Sequence, residues 1–212
     1  MRTAILRGSK QMKTKTAIQM REARKRNALL EEARALCLDH GLSGLSLDRL
    51  IANTGVSKRT LYRYFHSRTA FVADVVAHDG AIWREWFLDA IREQADTPGQ
   101  RLYAFFDTLA LWTASPDFRG CLFAQALCNG APLAEEITRA AQKQMEYVRK
   151  FLHDNARRAG VKNPTAFAEA LLLSVTVVLS GTGCRVSENS GKYLAALAGA
   201  LLQHNHIHRN KP

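Results

Sequence analysis

Apolar side chains recur at helical spacing along most of this chain, and the spacing is broken where glycine or proline appears. Between Arg24 and His40, residues Ala28, Leu29, Glu32, Ala33, Leu36 and Cys37 fall three and four apart, and Gly41 stops the run. Leu47, Leu50 and Ile51 form the inward side of a second, short helix that Ser46 is placed to cap and that ends near Thr54. A third helix starts after Ser57. Longer helices are predicted from about Arg68 to Ala95, from Leu102 to Trp112, from about Gly120 to Cys128, and from the break at Gly130-Ala131-Pro132 to about Arg158. Two more run from about Thr165 to Ser180 and, with Asn189 or Ser190 as cap, to about Gln203. No alternating Val/Ile/Thr-rich segment is bounded by hairpin turns and no segment repeats, so the expected fold is all-α with about nine helices.

The junction between the second and third helices is the most specific local pattern. Gly55 accepts the left-handed conformation of a sharp helix exit, Val56 is placed to plug the angle from inside, Ser57 caps the next helix, and Ala52 allows close crossing. Two short helices meeting at such a turn form a helix-turn-helix, whose second helix enters a DNA major groove with its N-terminal residues on the base edges. Lys58, Arg59 and Thr60 are the expected base readers, Arg59 being suited to the guanine acceptors. Ser46, Ser57, Tyr62, Arg63, His66 and Arg68 complete the DNA-binding set as phosphate and positioning contacts, while Leu61 and Phe65 anchor the helix inward. Tyr64 is open between DNA contact and a brace within the small domain.

Charge divides the chain the same way. Residues 1–68 hold 15 Lys and Arg against 5 Asp and Glu, whereas residues 69–212 hold 15 against 14. A polyanion held by the first third is the partner this asymmetry favours, with a solvated basic face as the bland alternative. Residues 1–20 show no durable period and read as a mobile basic arm; the division that follows is 21–67 for the helix-turn-helix domain, 68–204 for a larger helical domain and 205–212 for a polar tail.

The run Gly41-Leu42-Ser43-Gly44-Leu45-Ser46, then Leu50-Ile51-Ala52, Gly55-Val56-Ser57, Leu61-Tyr62-Arg63-Tyr64-Phe65 and Ser67-Arg68, resembles the N-terminal domain of the TetR family of transcriptional regulators. The likeness covers about residues 24–76. It departs at Arg68, where the family usually has lysine, and at Thr69, where an acidic residue often follows. The resemblance implies a homodimer that places two third helices on successive major-groove faces of a near-palindromic double-stranded DNA operator, and a larger C-terminal domain that dimerises and usually holds an effector.

In that larger domain, Phe167, Leu171, Val175, Val178, Leu194, Leu197 and Leu201 are apolar at helical spacing on the last two helices. They are either intramolecular core or, as the resemblance implies, a dimer interface of closed twofold symmetry. The middle helices are rich in aromatic residues. Trp83, Trp86, Tyr103, Phe106, Trp112, Phe123 and Gln125, with Cys121 beside them, are the candidate lining of a largely apolar small-molecule pocket, a closed core being the competing reading. The segment from Phe118 to Ala126 resembles a Gly-Cys stretch found in a subset of the family.

The expected function is therefore a repressor released from its operator by a small, largely apolar effector. An activator or effector-independent DNA-binding protein is the alternative, and a helical small-molecule-binding or enzymatic domain is the rival of another class. No phosphate-cradling, zinc-protease or serine-hydrolase motif occurs, so no catalytic residue, cofactor or metal is expected. Cys37, Cys121, Cys128 and Cys184 read as reduced, buried thiols. The Glu135-Glu136 and Asp89/Glu93 pairs read as solvated helix faces, and His204, His206 and His208 as a polar end without support for a metal. The N-terminus lacks the apolar core of a secretory signal, and the apolar run Leu171 to Leu179 is too short to span a bilayer, so a cytoplasmic protein with no membrane partner is expected.

Overall fold

The computed structural model describes residues 2–128, 133–181 and 189–209, with side chains from residue 19 onward. Cys184 and the break at Gly130-Ala131-Pro132 lie outside the described residues. Among those described, all regular structure is helical: α1 Arg2–His40, α2 Leu47–Thr54, α3 Lys58–Tyr64, α4 Arg68–Gln94, α5 Pro98–Thr113, α6 Leu122–Leu127, α7 Glu135–Ala159, α8 Pro164–Ser180 and α9 Ser190–His204. A single 3₁₀ turn, Leu42–Gly44, separates α1 from α2.

The first helix is longer than its amphipathic stretch. It begins at Arg2, so the backbone of the segment expected as an irregular arm is helical. The physical reason lies in composition: residues 2–20 contain no proline and one glycine, and are otherwise rich in Ala, Lys, Arg, Met and Gln, which favour helix without any packing partner.

α1 packs against α2, the 3₁₀ turn and α4. Leu29, Leu30, Ala33, Cys37, Leu45, Leu50, Leu61 and Phe65 are all buried, closing a small core beneath the turn. The Ser46 hydroxyl accepts from the Arg49 amide at 3.3 Å, and Ser57 accepts from the Thr60 amide at 3.2 Å. Gly55 takes φ 66°, and its N–H reaches the Ile51 carbonyl at 2.9 Å, which ends α2 and turns the chain into α3.

In the second domain α4 packs chiefly on α7, α5 on α9 and α7 on α8. The start of α6 is pressed onto the end of α8: the Cys121 amide donates to Leu179 at 2.7 Å, and a Cβ on Gly120 would lie 2.7 Å from the Ser180 carbonyl oxygen. Gly181 would meet Gly120 in the same way, at 2.8 Å. Residues 207 and 209 pack back on α5. Ile207 is buried, its carbonyl accepts from the Tyr103 hydroxyl at 3.0 Å, and Arg209 pairs with Asp107 at 2.9 Å. None of the described helices is long and apolar enough to cross a membrane.

Candidate nucleic-acid interface and ligand cleft

α3 is held as a short rod with one side inward. Leu61 and Phe65 are buried, and Phe65 packs against Phe71 of α4 with ring centroids 4.5 Å apart. Ser57, Lys58, Arg59, Tyr62, Arg63 and His66 face outward, and Thr60 is half-buried with its hydroxyl 3.0 Å from that of Ser57. Ser46 is exposed at the start of α2. Two expected contacts carry internal duties as well: Arg63 reaches Glu22 of α1 at 3.2 Å, and Arg68 donates to the Leu45 carbonyl at 2.9 Å, tying α4 to the turn before α2. Tyr64 is a brace, its hydroxyl donating to Glu22 at 2.6 Å. That bond, ahead of the nearby Lys25 and Arg63 charges, holds the Glu22 carboxyl below its usual range.

Three polar contacts fasten α1 to α4: Arg26 to Asp74 at 2.6 Å, Glu31 to His78 at 3.1 Å and Arg34 to Asp79 at 2.9 Å. The last is the deepest. Asp79 is nearly sealed from solvent, and its second oxygen accepts from the Leu122 amide at 2.8 Å, supplying the cap that α6 lacks from its own sequence. Burial pushes the Asp79 carboxyl up, and the Arg34 charge and the Leu122 amide oppose it.

Trp83, Trp86, Trp112 and Cys121 do come together. With Arg34, Asp79, Ile82 and Gly120 they line a cavity of about 210 Å³ over this ion pair. The other residues of the expected pocket lie elsewhere. Tyr103 faces a separate groove between α5 and α9, Phe106 is closed in the core against Phe105, and Phe123 is fully buried behind Trp83, 5.5 Å between centroids. Gln125 donates its amide to the Arg119 carbonyl. An aromatic count cannot tell which side of a helix faces a void, and most of these rings are core.

A larger cleft, about 480 Å³, opens between α4, α5 and α7. Trp83 is the single residue it shares with the expected pocket. Phe87, Ile91, Phe105 and Phe151 line it with five basic side chains and one acid, Asp154. The signal that could have found it is the basic second half of α7, Lys150 and Arg158, flanking the apolar Val148 and Phe151. Trp83 walls both cavities, and its buried indole N–H has no acceptor among the described residues.

The residues expected at the interface divide by exposure. Phe167, Leu171, Val175 and Leu194 are buried within the protomer itself, and Val178 and Leu201 are half-buried against the same core. Of that set Leu197 is exposed, at 50%; beside it the free apolar residues are Leu173, at 75%, Val177 and Tyr193. Ala166, Ala170, Leu173 and Val177 form one exposed stripe of α8, three and four apart. The sequence of α8 carries one charged residue, Glu169, so its periodicity cannot distinguish the side that meets α6 and α7 from the side left bare. Among the cysteines, Cys37 and Cys121 are buried, whereas Cys128 is exposed, contrary to expectation. Burial pushes the Cys37 thiol up to about 12 and Cys121 well above its usual value.

A capped helix-turn-helix with an exposed basic second helix is thus joined by one long helix to a larger helical bundle. Residues 29–75 match the profile of the bacterial regulatory proteins of the tetR family. The repressor NemR of Escherichia coli K12 is 25% identical over 119 residues, 56% of this chain and 60% of that relative's length. The fold is shared with the sav143 protein of Streptomyces avermitilis, TM-score 0.73 at 24% identity, over 87% of this chain and 99% of that one. It is shared also with AibR in complex with isovaleryl coenzyme A and operator DNA, TM-score 0.59 at 17% identity, over 83% and 97% of the two chains.

Proposed function

We propose that the protein is a homodimeric, ligand-responsive transcriptional repressor acting in the cytoplasm, and not an enzyme. The observation that carries this reading is the outward row of Lys58, Arg59 and Tyr62 on a helix whose other side is locked by Leu61 and Phe65. Lys58 and Arg59 at the leading end read base edges, and Tyr62, Arg63, His66 and Arg68 hold phosphates. The domain division follows the same line: residues 21–67 bind DNA, with α1 extended before them, and 68–204 bind effector and partner.

The bare α8 and α9 stripes supply a twofold interface through Leu173, Val177, Tyr193 and Leu197. Two recognition helices then sit about one DNA turn apart, roughly 34–36 Å. Effector control runs through α4. Trp83 lies one helical turn beyond Asp79, so a ligand that moves Trp83, Phe87 and Ile91 bears on the Arg34–Asp79 pair that fixes α1. A ligand that favours the displaced arrangement shifts the population away from DNA.

Selection of bound duplexes from random fragments should return an inverted repeat. Replacing Arg59 with Ala should then cost about 1–3 kcal/mol on the selected site. An equal grip on selected and random DNA by a folded dimer overturns the reading.

A further inference from the structure

We infer that the cleft between α4, α5 and α7 takes an amphipathic anion, an apolar body carrying a carboxylate or phosphate head. The inference deepens the effector reading and rests on it for its regulatory consequence. Occupancy of the cleft is a separate, directly measurable matter.

The walls set the apolar part. Trp83, Phe87 and Ile91 fall four apart along one side of α4 and face Phe105, Val148 and Phe151 across the cleft. From Trp83 to Arg92 the helix rises about 13 Å, and 480 Å³ lies within the size of sites that enclose small organic ligands.

The polar groups set the head. Arg84, Arg92, Arg101, Lys150 and Arg158 line the cleft with a single carboxylate, Asp154, in a domain whose 15 basic and 14 acidic residues otherwise nearly cancel. Arg92 is paired with Asp89. Arg84 donates to Gln144 and stacks over Tyr147, and Arg101 donates to the Ala95 carbonyl, so neither meets a carboxylate. Lys150 and Arg158 have no ion-pair partner among the described residues. Guanidinium, ammonium and indole groups donate and do not accept. The lining therefore offers many donors and few acceptors. A ligand that completes it brings acceptors and negative charge, and an ammonium compound of the same length meets five cations.

The test uses the full chain and four ten-carbon probes below their micelle concentrations: decanoate, decyl phosphate, decanol and decyltrimethylammonium. Binding is followed by calorimetry and tryptophan fluorescence. Decanoate or decyl phosphate should bind at least about tenfold more tightly than decanol, with the ammonium weakest. The tighter of the two anions distinguishes a carboxylic acid from a phosphorylated ligand. Lys150 and Arg158 are exposed, so K150Q/R158Q should fold as the parent does, lose about tenfold in anion affinity and leave decanol binding within about twofold. Equal binding of alcohol and anion, preference for the ammonium, or an anion affinity untouched by K150Q/R158Q overturns the inference. Operator affinity is measured apart from this. Anion binding without effect on DNA leaves the site intact and sinks the effector reading, while operator recognition without anion binding does the reverse.

Discussion

Arg34 of α1 and Asp79 of α4, 45 residues apart, meet at 2.9 Å in the buried seam between the two domains. The pair has three neighbours of different kinds: the α6 amide that Asp79 also holds, the two thiols Cys37 and Cys121 whose titration it influences, and the tryptophan-lined cavity above it. Breaking it leaves an ion without a counter-ion rather than merely one contact fewer.

R34Q should therefore lower stability by about 2–4 kcal/mol, read as a fall in Tm of roughly 5–15 °C. The loss should depend on pH with a definite sign. Without the guanidinium the folded carboxyl rises further above its unfolded value, so the folded state is penalised increasingly as pH rises through that interval. Melting curves should show the gap between R34Q and parent narrower at pH 5 than at pH 8, and a gap that widens on acidification contradicts the assignment.

Glu22 restrains the outer end of α3 by holding Tyr64 and Arg63 at once. E22A should release Arg63 toward phosphate, making the slope of log affinity against log salt steeper by up to about 0.9. Because the Glu22 carboxyl is held below its ordinary 4.5, the restraint is present above that range and is lost only as pH falls through the lowered value. Anisotropy titrations between pH 6 and 8 should accordingly show no contribution from its titration.

Leucines of one helix should behave oppositely. L171A removes a fully buried side chain and should cost about 2–5 kcal/mol. L173E, two positions on and 75% exposed, should leave the protomer folded and drive sedimentation toward the monomer. A dimer that survives L173E together with L197E places the interface elsewhere.

How much of this was legible in the sequence follows from how local each requirement is. Ser46, Gly55 and Ser57 each act within three or four residues of themselves, and the inward positions Leu50, Leu61 and Phe65 lie beside them, so the helix-turn-helix can be read in one short window. The cleft cannot, since its lining runs from Trp83 to Arg158 and exists only once α5 and α7 are laid against α4. Phe106 and Phe123 are as aromatic as Trp83 and are buried in the core, whereas Trp83 walls two cavities. On α8 the difficulty is of another kind: core and bare face have the same composition, and only the position of α6 and α7 decides between Leu171 and Leu173.

Cysteine chemistry gives a last check on burial. Iodoacetamide at pH 8 should alkylate Cys128 in the native protein while Cys37 and Cys121, sealed and with thiol pKa values raised, react only on unfolding. Peptide mapping before and after denaturation reads this directly, and rapid native labelling of Cys121 contradicts the burial described.

The contact of Gly120 with Gly181 brings main chain against main chain with no intervening side chain to yield. That joint sets the end of α8 against the first residues of α6, where the Leu122 amide donates to Asp79. A methyl group added at either glycine would meet main-chain atoms at 2.7–2.8 Å on a left-handed backbone, so even the smallest side chain would prise α6 from α8 and loosen the cap on Asp79.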